Sequence, residues 1–71
     1  MPRPDYITHV HEALYDLRTS DLENRVKMLR RYQDTLSEAA RLSQCSEAAL
    51  EEALRNDYKV WLRQERLPRI D

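Results

Sequence analysis

Glycine and phenylalanine are absent from this 71-residue chain, cysteine and tryptophan occur once each, and the three prolines (Pro2, Pro4, Pro68) sit near its ends. Each shortage excludes something. Without glycine there is no P-loop and no dinucleotide fingerprint, because both need backbone to approach phosphate with no Cβ in the way. The Asn-Gly and Asp-Gly turns that favour tight β-hairpins are missing too. One cysteine, Cys45, cannot close an intrachain disulfide or build a multi-cysteine zinc site. No apolar run approaches the 20 residues of a membrane helix. No charged-then-apolar leader precedes a small-residue cleavage site, and with a lone cysteine this predicts a cytoplasmic protein.

What remains is charge and short apolar spacing. Twelve Lys+Arg stand against 13 Asp+Glu for a net charge of −1, so no strong non-specific pull toward nucleic acid is expected. The length allows one small domain over 1–71. A chain of this size buries only about 60% of its unfolded surface. With no disulfide or metal site in view, self-association is the remaining source of stability, and a homodimer is predicted.

The expected fold is all-α, a bundle of three to four short helices. The first should run from about Pro4 to Arg18, with Ile7, Val10, Ala13, Leu14 and Leu17 on one arc. Ser20 and Glu23 fit a capping box opening a second helix that carries Leu22, Val26 and Leu29 and ends near Tyr32 or Gln33. Thr35 and Glu38 fit another, opening a short helix at about 36–43. A turn at Ser43-Gln44-Cys45 follows, and Ser46 caps a last helix over about 47–66. Ile7, Val10, Leu14, Leu17, Leu22, Val26, Leu29, Leu36, Ala40, Leu50, Leu54 and Trp61 make the predicted core. An alternative merges 35–66 into one helix.

Residues 35–55 resemble a helix-turn-helix corner. Ala39 and Ala40 would let two helices approach, and Cys45 would be the buried residue of the turn. Gln44 stands where that turn usually has glycine, a substitution that costs roughly 1–2 kcal/mol at positive φ. The second helix of the corner opens with Glu47, Glu51 and Glu52, which a phosphate-lined groove repels. The corner therefore reads first as packing.

Other clusters read more plainly as structure. His9 and His11 point about 200° apart on a helix and cannot share an ion. Asp5, His9, Glu12 and Asp16 share a solvated face without a metal motif. Cys45 has no base at nucleophile spacing. No catalytic, cofactor or metal residues are predicted, and the protein is expected not to be an enzyme.

Two functional readings follow. The first is a small regulatory or adaptor protein that binds another protein through its last helix and tail, using Tyr58, Trp61, Leu62, Arg63, Arg66 and Leu67. Tyr and Trp concentrate in interface hot spots, and Arg55, Lys59, Arg63 and Arg66 lay a basic stripe beside them. The alternative is a dimeric helix-turn-helix DNA-binding regulator. It would use Ser46, Glu47, Glu51, Arg55 and Lys59 at the second motif helix, with Arg25, Arg30 and Arg41 on phosphates.

Scattered residues are similar to small nucleoid-modulating proteins of the Hha/YmoA type: Asp5-Tyr6-Ile7, Asp21-Leu22-Glu23, the single cysteine and Trp61. That family's central Ala-Ala-Asp-His-Arg run has no counterpart here, and the shared points align only with repeated shifts of register. No residue role is carried over.

Overall fold

The computed structural model describes residues 4–65, which form three helices and no strand. They are α1 (Asp5–Thr19), α2 (Leu22–Ser43) and α3 (Glu47–Gln64). The all-α expectation holds, with three helices where three to four were expected.

α1 starts directly after Pro4, whose carbonyl accepts from the Ile7 and Thr8 amides. Ser20 ends it instead of opening the next helix: its amide and its hydroxyl both donate to the Leu17 carbonyl. Asp21 takes the N-cap of α2, accepting from the Asn24 amide at 3.0 Å. The predicted Ser20–Glu23 box is therefore replaced one residue later by a carboxylate cap. A carboxylate satisfies the same orphan N–H and adds charge at the positive end of the helix dipole. Only Ser20 and Asp21 separate the two helices, so α1 and α2 fold back on each other as a hairpin.

The break expected near residues 33–35 does not occur, and α2 runs unbroken through it. Thr35 turns its hydroxyl back onto the Arg31 carbonyl at 2.7 Å, an intrahelical bond that leaves it unavailable as a cap. Glu38, the proposed reciprocal partner, pairs with Arg41 instead. With no glycine or proline in the way, the helix continues because Leu36, Ala39 and Ala40 gain burial by doing so.

The expected turn does form. Gln44 sits at φ 58°, ψ 44°, the left-handed region. Its amide donates to the Arg41 carbonyl and that of Cys45 to Ala40, the two bonds of a Schellman motif. Cys45 is exposed, not buried as expected, because the motif is satisfied through its amide and its thiol is not needed inside. Ser46 caps α3 as predicted, accepting from the Ala49 amide at 3.1 Å. The predicted end of this helix at 66 lies outside the described residues.

The core has two parts. Ile7, Val10, Ala13, Tyr32, Leu36, Ala39, Ala40 and Leu50 fill the first. Ala39 is 0% exposed and Ala13 1%, so small side chains lie in the core shared by α1 and α2. Tyr58, Trp61 and Leu62 form the second, against Leu14 and Tyr15 of α1. α3 thus begins against α2 through Leu50 and ends against α1. That departure corrects three core predictions: Leu22, Val26 and Leu29 are 83%, 66% and 42% exposed. The three share one stripe at helical spacing, but the buried residues of α2 begin only at Tyr32. No helix among the described residues is long and apolar enough to cross a membrane.

Candidate functional site

A buried polar contact lies where the end of α3 meets α1. His11 is 1% exposed, yet its Nε2 lies 2.7 Å from Asp57 Oδ2, a residue whose side chain still reaches solvent. The imidazole packs 5.7 Å from the Tyr58 ring and 5.5 Å from the Trp61 ring, centroid to centroid. Tyr58 and Trp61 stack at 5.9 Å, and Tyr15 meets Trp61 edge-on. Trp61 Nε1 is buried and makes no hydrogen bond among the described residues. This cluster fixes α3 to α1: the His11–Asp57 contact supplies direction and the rings supply buried area.

Beside it opens a cleft of about 270 Å³ lined by all three helices. Val10, Leu14, Leu54 and Leu62 give it apolar walls, and His11, Tyr32 and Tyr58 bring polar atoms. Arg18, Arg55 and Lys59 line it as well, together with the carboxylate of Glu51. Arg18 lies over the Tyr58 face, its guanidinium carbon 5.3 Å from the ring centroid, where the ring quadrupole attracts it. Tyr32 donates to Glu51 Oε2 at 3.0 Å. Burial, and then the Glu51 carboxylate beside it, push the Tyr32 phenol well above its ordinary value and hold it neutral. Arg55 reaches Glu52 at 3.1 Å on the solvent side. A wider depression between α1 and α2, lined by Tyr6, His9, Arg31, Asp34, Thr35 and Glu38, holds no buried residue and is less of a site.

The two predicted residue sets are divided by this arrangement. Tyr58, Trp61 and Leu62, expected on a partner surface, are buried within the chain because their rings complete the core with α1. Arg63 is exposed, and Arg66 and Leu67 lie outside the described residues. From the second set, Glu51, Arg55 and Lys59 come together at the cleft. Ser46 spends its hydroxyl on the cap, and Glu47 sits in the exposed first turn of α3. Arg25, Arg30 and Arg41 are exposed on α2. The Arg41 guanidinium hydrogen-bonds Glu38, holding that carboxyl below its usual range.

Sequence reasoning passed over Asp57, Arg18 and the phenol of Tyr32. No local spacing joins His11 to Asp57, 46 positions away. Arg18 carried one signal, a cation in the last turn of α1, but that also serves the helix dipole. Among the described residues, no three His, Cys, Asp or Glu side chains gather closely enough to hold a metal ion.

No family model, curated protein or solved structure matches the chain.

Proposed function

We infer that the protein is a small, non-enzymatic binding module whose cleft takes an acidic segment of another protein. The observation that carries this reading is the placement of Arg18, Arg55 and Lys59 around apolar walls in one concave site. Cations beside Leu14, Leu54 and Leu62 suit a ligand that alternates carboxylates with aliphatic side chains. Partial enclosure strengthens each charged hydrogen bond over its fully solvated counterpart. The last helix remains the main contributor, through Arg55 and Lys59 on its polar edge instead of its buried aromatic stripe.

The helix-turn-helix DNA-binding alternative has the α2–turn–α3 corner in its favour. It has against it the exposed Glu47, Glu51 and Glu52 at the start of α3, where phosphates would lie.

The test is titration of a short synthetic Glu/Leu peptide, its Lys/Leu counterpart and a mixed-sequence DNA duplex, read by Trp61 emission and amide chemical shifts. The acidic peptide should bind, weaken as salt rises, and lose most of its affinity to an Arg55→Glu/Lys59→Glu double variant. Both side chains are exposed, so the fold should persist. Equal binding of the two peptides, or no shift with the acidic one, would overturn this reading. Preference for the duplex would move the function to DNA.

A further inference from the structure

The apolar spacing of α2 outlasts the packing that covers it. Leu22, Val26, Leu29, Gln33, Leu36 and Ala40 follow alternating steps of four and three, the pattern of a coiled-coil seam. Leu36 and Ala40 are covered within the chain, whereas Leu22, Val26 and Leu29 stand in solvent. None of those three lines the cleft.

We propose that this exposed half of α2 is a self-association surface that pairs antiparallel with the same stripe of a second copy.

Charge selects both occupant and direction. Glu23 and Arg30 flank the stripe on one side and Arg25 on the other. In an antiparallel pair with Val26 opposite Leu29 of the second copy, residues on the same flank face each other. Glu23 then meets Arg30 of the second copy, and symmetry repeats the pair. In a parallel pair opposite flanks meet, and Arg25 would face Arg30, cation against cation. Flanking charges of this kind set the orientation of helix pairs. A two-fold interface also needs one patch complementary to itself, which this patch is. The stripe from Leu22 to Gln33 spans about 16 Å at the helical rise. That is a short contact, and the expected association is in roughly the micromolar range.

Sedimentation equilibrium of the full chain across a wide concentration range tests this. A reversible dimer is expected. Val26→Glu should make the chain monomeric with unchanged helix content, since the site is already in solvent. Glu23→Arg and Arg30→Glu should each weaken the dimer by roughly tenfold, and the double variant should restore it. A monomer at every concentration would overturn the proposal. So would a dimer that survives Val26→Glu, or a double variant no tighter than the single ones.

Discussion

His11 and Asp57 meet at 2.7 Å across 46 residues, joining the middle of α1 to the last turns of α3. His11 is almost wholly enclosed, so its nitrogen depends on protein groups where an exposed histidine would use water. Asp57→Ala should destabilise the fold by about 1–3 kcal/mol, the cost of removing one partner from a buried polar atom. Asp57→Asn keeps an acceptor and should lose less. Urea denaturation of the two variants separates these outcomes, and a negligible loss in both would mean the contact has little weight.

Gln44 holds a left-handed conformation that glycine adopts without steric cost. Gln44→Gly should therefore stabilise the protein, by about 1 kcal/mol, despite the added freedom of the unfolded chain. That corresponds to about 4–8 °C in Tm for a domain of this size. Calorimetry gives the answer directly; an unchanged or lower Tm would contradict the assigned turn.

Ala39 has no exposed surface in the core shared by α1 and α2. Ala39→Leu should cost about 1–3 kcal/mol, because the added methylenes must push the hairpin apart. Ala48→Leu, on the exposed side of α3, should be nearly silent in the same thermal melts.

The Tyr32 phenol is raised by burial and by Glu51, so the folded state favours its neutral form. The stability this contributes is complete below the ordinary tyrosine value near 10. It is lost as pH climbs beyond that value, because the unfolded chain releases the proton first. Stability should thus fall more steeply above pH 10 in the native protein than in Tyr32→Phe. Absorbance titration should show the Tyr32 phenol ionising late, together with alkaline unfolding. Identical alkaline profiles for the two proteins would exclude the assigned environment.

The Ser46 cap and the apolar stripes were legible because they are local. Ser46 lies three residues before the amide it caps, and the Ile7, Val10, Ala13 arc needs only the helical period. The continuity of α2 was not legible. Thr35 followed by Glu38 has the spacing of a capping box, and only the tertiary gain at Leu36, Ala39 and Ala40 decides that Thr35 bonds backward to Arg31. Periodicity likewise reports that Leu22, Val26 and Leu29 share a face, but not whether another helix of the same chain reaches it. The cleft was half legible. Arg55 and Lys59 form part of a stripe in the sequence, while Arg18 and Tyr32 join them only when α1 and α2 fold together. The pairing of His11 with Asp57 left no mark, since nothing in a sequence measures a distance across 46 positions.

The ring cluster around Trp61 draws on residues 11–15 and 58–61, whereas the hairpin draws on neighbours joined by a two-residue link. Closing the short loop costs little chain entropy, and closing the long one costs more. The hairpin can therefore assemble from near-neighbour contacts, with the docking of α3 as the non-local step. The single tryptophan sits in the joint made by that step. Its fluorescence reports the arrival of the last helix, while circular dichroism reports helix formation throughout the chain.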